Sequence, residues 1–519
     1  MSNRIIGIDL GTSTSAVAAV DQGAARILSL DERERVFPTV VGMQKNGEII
    51  VGAVARDQLE ANPEFTFTGL KRLLGRKADD PQIVAWSELA TYEIAPGPQG
   101  EAFVRGPDRL YSPVELLGHV FKRLREIAQQ ALSEPVTKCV IGIPAHFDLE
   151  QKEAMRQAAR QGGLDPVRLL PEPTAAAVAY GVDRAKNQTL AIFDLGGGTF
   201  DITILKVTGQ KFRALSSTGD PFLGGEDFDQ RIVEWIVERF KAKHGIDLRD
   251  DPSAKNRIRL AAEKAKESLS AETSHRIYLR YIAHRPGLLD LDDVLEREEM
   301  EDLVTDLIDR TKLPCREALR RAKVDVRDID EVVLVGGMSR MPRVGAAVQE
   351  IFGRLGNRRI DPVAAIALGC ATQGAALAGE LKSVSLKENT ALPFSVQVGN
   401  DALVPLIPVN RPLPAREEKL FGVTNREASA AAVRVFHGSR RVMTMVLNDL
   451  QEGLKPGAEP LIRVRLDVDE DGMLTATARN SATRAEISHR LHAESGMSES
   501  DREALKHLGE DDFVEEEAA

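Results

Sequence analysis

Two segments of this chain repeat one design. Ile5-Ile6-Gly7-Ile8-Asp9-Leu10-Gly11-Thr12-Ser13-Thr14 and Leu190-Ala191-Ile192-Phe193-Asp194-Leu195-Gly196-Gly197-Gly198-Thr199 each run from an apolar stretch through Asp-Leu-Gly into a turn of glycine and hydroxyl residues. Each apolar stretch reads as a buried strand, and each glycine turn leads into a second strand, Ser15 to Val20 or Phe200 to Val207. The turn is therefore of the β-β kind, not strand to helix. An internal repeat constrains the fold strongly, because it calls for two similar units with a cleft between them.

Later parts of the halves also correspond. Cys139-Val140-Ile141-Gly142-Ile143-Pro144 is followed by a helical pattern over Leu149 to Gln161 and then by Glu172-Pro173-Thr174-Ala175-Ala176-Ala177-Val178-Ala179-Tyr180-Gly181. Val332-Val333-Leu334-Val335-Gly336-Gly337 is followed by a second helix and by Asp361-Pro362-Val363-Ala364-Ala365-Ile366-Ala367-Leu368-Gly369. Proline suits a first helical turn, alanines allow close packing, and glycine is expected to close each acid-Pro segment. Two α/β lobes are expected, residues 1–185 and 186–381.

Past residue 381 the style changes. Residues 382–389 read as a linker. Residues 390–495 read as a small all-β domain, with Ile462 to Val468 and Met473 to Arg479 alternating about an Asp469-Glu470-Asp471-Gly472 hairpin turn. That turn begins like a calcium loop, but Ala478 stands where the closing Glu is needed, so it is read as a hairpin alone. Residues 496–519 hold one helical stretch, Glu499 to His507, and then the acidic EDDFVEEEAA, expected to be disordered.

Composition narrows the class. A formal net charge of -11 speaks against a generally basic nucleic-acid binder. Three cysteines without CxxC spacing supply neither a zinc site nor a disulfide framework. No apolar run approaches the ~18 residues of a membrane span, and MSNRIIGID enters a strand pattern with no leader-like stretch. A cytoplasmic protein without a membrane partner is expected.

A single glycine-rich turn is compatible with a purely structural hairpin. Two facing turns can surround a polyphosphate with backbone N–H groups, since a Cβ would hold the chain off the anion. Thr12, Ser13, Thr14 and Thr199 add hydroxyl donors. Acids beside a phosphate repel it unless a cation intervenes, so Asp9, Asp194 and Asp201 point to Mg²⁺ with a nucleotide. Neither a GxxxxGK[ST] loop nor a GxGxxG opening a helix is present. Lys71, in Gly69-Leu70-Lys71-Arg72-Leu73-Leu74-Gly75-Arg76, is by spacing alone as compatible with a solvated basic face as with a site.

The ordered set IGIDLGTSTS, GLKRLLGR, IGIPAHF, LLPEPTAAAVAYG, FDLGGGTFD, FLGGEDFD, AAEKAKESLS and VVLVGGMSRMP resembles the Hsp70 (DnaK-type) chaperone family, densely from residue 3 to about 380 and more weakly to about 500. The resemblance implies an actin/hexokinase-type duplicated two-lobe ATPase domain (1–381) followed by a β-sandwich that binds peptide. It implies that Gly11, Thr12, Ser13 and Thr14 on one lobe and Gly196, Gly197, Gly198 and Thr199 on the other hold ATP or ADP phosphates. Asp9, Asp194, Asp201 and Glu172 would surround Mg²⁺ and K⁺, mostly through water. Lys71 would reach the γ-phosphate and attacking water, so Lys71, Glu172, Asp194 and Thr199 form the implied catalytic set.

Glu263, Lys266 and Ser270 match the adenosine-contacting helix, and Gly336, Gly337, Met338, Ser339 and Arg340 match the opposite wall. Slow ATP hydrolysis, client polypeptides, a J-domain co-chaperone, an exchange factor, a role in stress response and a monomeric state are implied likewise. Several positions depart from the pattern. Met338 replaces a small residue, Val363 an acid, Lys152 an arginine and Pro171 an asparagine, while Arg168, an expected J-protein contact, is kept. The linker reads VSLKE in place of a VLLLD-like run, and a full helical lid is not expected after Ser498. These departures raise a second reading, a degenerate homologue acting as an ATP-binding scaffold. A small-molecule kinase of the same superfold is a third, opposed by FLGGEDFD and the β region.

Overall fold

The computed structural model describes residues 4–490 and 514–516, apart from 31–35, 45, 146, 182–186, 210, 284–286, 382–384, 387–389, 391, 399–401, 410, 424–427, 449 and 455–458. The expected helix at Glu499 to His507 and most of the linker lie outside the described residues. The chain divides into two compact units, Met1–Phe147 with Met155–Ser385, and Asp148–Ala154 with Leu386–Ala519.

The first unit is built twice over from one sheet plan. Strands β1 (Ile5–Leu10), β2 (Thr14–Asp21), β3 (Ala24–Ile27), β4 (Lys138–Ile143) and β5 (Asp165–Pro171) take the order β5-β4-β1-β2-β3. β5, β4 and β1 run parallel, and β2 and β3 return antiparallel. The second lobe repeats this with β6 (Asn187–Leu195), β7 (Phe200–Thr208), β8 (Lys211–Asp220), β9 (Glu331–Val335) and β10 (Gly356–Asn357) in the order β10-β9-β6-β7-β8. Again β10, β9 and β6 are parallel and β7 and β8 antiparallel. The duplicated α/β fold is thus present strand for strand, and both glycine turns are β-β turns.

Sequence chemistry explains these elements locally. The apolar run Leu190 to Leu195 is buried at every residue, as a strand covered on both faces requires. Helix α1 (Pro113–Leu132) starts where the Ser112 hydroxyl accepts from the Glu115 amide at 3.1 Å, with proline at its first position. It buries Leu116, Leu117, Val120, Phe121, Leu124 and Ile127, a stripe at helical spacing. Helix α2 (Leu149–Gln161) covers the residues its pattern predicts.

The first acid-Pro segment becomes helix α3 (Glu172–Ala179), whereas the second enters helix α5 (Ala365–Leu377) only past Pro362, which stands before the helix and not in its first turn; α4 (Gly225–His244) and other elements lie between them in sequence. Helices α3 and α5 cross so tightly that a Cβ on Gly369 would lie 1.8 Å from the Ala175 carbonyl oxygen. Gly369 therefore does not close its segment as expected. It sits inside α5, where its missing side chain permits the crossing. Gly7 permits a second close approach, of β1 to α5, since a Cβ there would lie 2.1 Å from the Ala371 amide nitrogen.

The second unit is a sandwich of two antiparallel sheets. With β11 (Phe394–Val398), β12 (Ala402–Ile407), β13 (Ala415–Val423), β14 (Ala431–His437), β15 (Arg440–Leu447), β16 (Ile462–Val468), β17 (Leu474–Asn480), β18 (Glu486–Arg490) and β19 (Val514–Glu516), the orders are β12-β11-β14-β15 and β18-β17-β16-β13-β19. Inward residues such as Val396, Val433, Val435, Met445, Phe421, Val464 and Leu466 form its core. The β16–β17 hairpin forms as read, and the Asp469 carboxylate accepts the Asp471 and Met473 amides at 2.9 Å each. The acidic end departs from expectation. Val514–Glu516 is a strand paired with β13, because an edge strand supplies from outside the partner that composition alone lacks.

Candidate active site

The repeated sheets bring their glycine turns face to face. A Cβ on Gly197 would lie 2.3 Å from the Ser13 hydroxyl oxygen, and one on Gly198 about 3.1 Å from the Thr12 hydroxyl and 2.9 Å from an Arg72 guanidinium nitrogen. The lobe-two turn is capped from behind by α4, whose first amides, Gly225 and Glu226, donate to the Gly196 and Gly197 carbonyls at 2.9 and 2.8 Å. Within the first turn, a Cβ on Gly11 would lie 2.2 Å from the Thr14 carbonyl oxygen. Bare backbone is needed in both turns.

Beneath the turns lie the acids. Asp9 and Asp194 occupy the same position in their lobes, and Asp194 pairs directly across the ladder with Asp201. Side chains directly opposite on an antiparallel pair share a face of the sheet. Glu172 opens α3, and its Oε1 accepts from Lys71 Nζ at 2.9 Å, both side chains being 8% exposed. Lys71 is delivered by a short 3₁₀ turn, Leu70–Arg72, after Gly69 at φ 68°, with its ammonium 5.8 Å from the Phe147 ring centre.

Electrostatics follow from this crowding. Burial, then the charge of Glu172, pushes Asp9 up to about 7 against the pull of Lys71. Asp194 is raised well above the carboxylate range, first by burial and then by Glu172, Asp201 and Asp9. Burial works to lower Lys71, but Glu172, Asp9 and Asp194 together outweigh it and hold the ammonium above its ordinary value. Three acids, Glu172, Asp9 and Asp194, thus share one buried ammonium, with Asp201 beside Asp194, an arrangement that suits a further cation. Among the described residues no three acids, histidines or cysteines stand close enough to ligate one ion together, so a cation here would be held chiefly through water.

Toward the other end of the cleft, Lys266 Nζ donates to the Gly225 carbonyl at 2.9 Å and to Asp229 at 2.8 Å. Burial pushes Asp229 up to about 6 against the pull of Lys266. Met338 Sδ comes within 3.1 Å of where a Gly225 Cβ would be, so methionine does line this end. Gly336, at φ 81°, abuts the Leu195 carbonyl and the Asp194 carboxylate, and Ser339 hydrogen-bonds the Val335 carbonyl. Gly337 to Arg340 form one 3₁₀ turn, with Arg340 paired to Asp361 at 2.5 Å on the exposed side. The helix carrying Glu263 and Lys266 ends at Leu269, one residue short of expectation. Ser270 stands just beyond it and donates to the Lys266 carbonyl at 3.3 Å. Arg168 lies buried on β5.

Contacts at three places were not legible in the motifs. Arg72 pairs with Glu226 at 2.8 Å while the Ser13 hydroxyl donates to Glu226 at 3.3 Å, and Arg56 pairs with Glu263 at 3.0 Å. The third is Asp229 on Lys266. Arg72 and Glu226 lie inside quoted motifs, whereas nothing around Arg56 marks it.

The family model for Hsp70 protein matches residues 5–519. The chain belongs to the Hsp70 family. Proteins of this family are generally chaperones with ATPase activity that bind ATP or ADP with Mg²⁺, and the mixed α/β lobes with a β-sandwich fit that family's fold. Among the described residues, no helix is long and apolar enough to cross a membrane.

Proposed function

We propose that the chain is a slow ATPase whose nucleotide state alters its affinity for extended, apolar client polypeptide. The observation that supports this most is the buried Lys71–Glu172 pair set among Asp9, Asp194 and Asp201 beneath two facing glycine turns. Gly11 to Thr14 and Gly196 to Thr199 would hold the phosphates through backbone N–H and hydroxyl donors. Glu172 fixes Lys71 Nζ in place, and the raised affinity of Lys71 for its proton keeps the γ-phosphate facing a permanent cation. Mg²⁺, when bound, would supply charge neutralisation at the β- and γ-phosphates, held through water by Asp9, Asp194, Asp201 and Glu172, with K⁺ in the same acidic bed.

Water would attack the γ-phosphorus as the bond to the β-phosphate oxygen breaks, with its proton passing to a neighbouring carboxylate such as Asp194. The Thr199 hydroxyl orients that water. Glu263, Lys266 and Ser270 on one side and Gly336 to Arg340 on the other would hold adenosine. J-domain and exchange partners, a cytoplasmic location and a monomeric state follow from the same reading.

Phosphate release measured with Mg²⁺ and ATP tests this. Lys71→Ala should lower it at least about 100-fold, as loss of a charge-stabilising donor does, and ordinary turnover in that variant removes the lysine's role. The polar residues Ser385 and Lys387 of the linker favour a second reading, a nucleotide-dependent scaffold. Equal peptide affinity in ATP and ADP selects the scaffold.

A further inference from the structure

The β-sandwich already holds an extended strand at the outer edge of β13, and that strand is the chain's own acidic end. Val514, Glu515 and Glu516 run antiparallel to β13, opposite Val423, Gly422 and Phe421 respectively. On its other side β13 pairs with β16 from Ala415 as far as Phe421. Gly422 and Val423 therefore extend past β16, and β19 is their ladder partner. Phe421 and Val423 are buried there, and β19 also lies close to β11 and β14 of the facing sheet. The end of β13 is thus a strand-accepting slot at the seam between the sheets, of the kind that takes peptide by β-augmentation.

The tail has the means to occupy it. Residues 491–513, twenty-three in number, separate β18 from β19, and at ~3.3 Å per extended residue they reach across any small domain. A tethered strand also competes at an effective concentration near the millimolar range. We propose that Val514–Glu516 is a built-in ligand of the β13 edge, which an extended polypeptide must displace in order to bind. The inference rests on the peptide-binding reading for its competition, and on the strand pairing alone for the docking.

The test compares the full chain with one ending at Gly509 and with the double variant Val514→Pro, Glu515→Pro. Successive residues of a strand point their N–H groups to opposite sides, so two adjacent prolines remove whichever amide faces β13. Both changes should raise affinity for a fluorescent apolar heptapeptide about tenfold. Deuterium exchange should speed up at whichever of the Gly422 and Val423 amides faces β19, and a synthetic EDDFVEEEAA peptide should restore protection to the truncated chain. Unchanged peptide affinity together with unchanged exchange overturns the proposal. If the heptapeptide binds no form while truncation still exposes Gly422 and Val423, the docking stands and the peptide-binding reading falls. Protection that appears only at high protein concentration overturns the intramolecular strand in favour of exchange between copies.

Discussion

The two glycine turns share a sheet plan and differ in what they carry. In the first lobe Asp9 faces Ala16 across its ladder, and the turn after it is rich in hydroxyls. In the second, Asp194 faces Asp201, and the turn is three glycines backed by the first amides of α4. One jaw can offer hydroxyls and a single acid, the other bare amides and two acids. Duplication explains why the jaws face one another, while divergence explains why the cleft between them is strongly acidic and suits a phosphate only in company with a cation.

The comparison is broken most severely at Lys71, the one buried ammonium among those acids, where the loss of turnover described above is expected. Next comes Gly369→Ala. Its Cβ would lie 1.8 Å from the Ala175 carbonyl oxygen, so α3 and α5 must separate, and a loss of ~1–3 kcal/mol in denaturant-induced unfolding is expected. Unchanged stability would mean that the tight crossing does not join the lobes. Asp201→Ala makes the second jaw resemble the first, which carries Ala16 at that place. Affinity for Mg²⁺-ADP, read by calorimetry, should fall about tenfold, and an undiminished affinity would show that the second acid is dispensable. Glu263→Ala removes the partly exposed pair with Arg56 together with one proposed adenosine contact at the cleft rim, so a change of about fivefold or less in nucleotide affinity is expected.

A further effect, confined to acid pH, lies in the sandwich. His437 stacks on Phe394 at 4.4 Å and is pushed down to about 4, first by burial and further by the Lys152 and Arg440 cations, against Asp148. Its folded value lies below the unfolded one near 6.5, so the unfolded chain takes the proton first. The stability linked to it is present above about pH 6.5 and is lost as pH falls toward 4. The melting temperature of the sandwich should drop across that window in the native chain and drop less in His437→Phe. Parallel pH profiles would rule out this histidine as the source.

Where the signal was local, the fold could be read ahead of the structure. Strand, acid and glycine turn lie within ten residues of each other, so both jaws, their β-β turns and the later hairpin at Asp469 were legible. Contacts that join distant segments were not. Arg56 and Glu263 are two hundred residues apart in sequence, and nothing in either neighbourhood announces the other. Gly369 departs from expectation for a related reason, because glycine in an alanine-rich stretch reads as a stop, and only the approach of Ala175 shows why it lies within a helix. The acidic end departs from expectation because its strand partner, β13, is supplied from nearly a hundred residues away.

The central claim is that both jaws grip one nucleotide together, and deuterium exchange with and without Mg²⁺-ADP tests it most directly. Amides of residues 11–14 and 196–199 should gain protection at the same nucleotide concentration and to a similar extent. Protection of one turn alone, with the other exchanging as in the free protein, would contradict it.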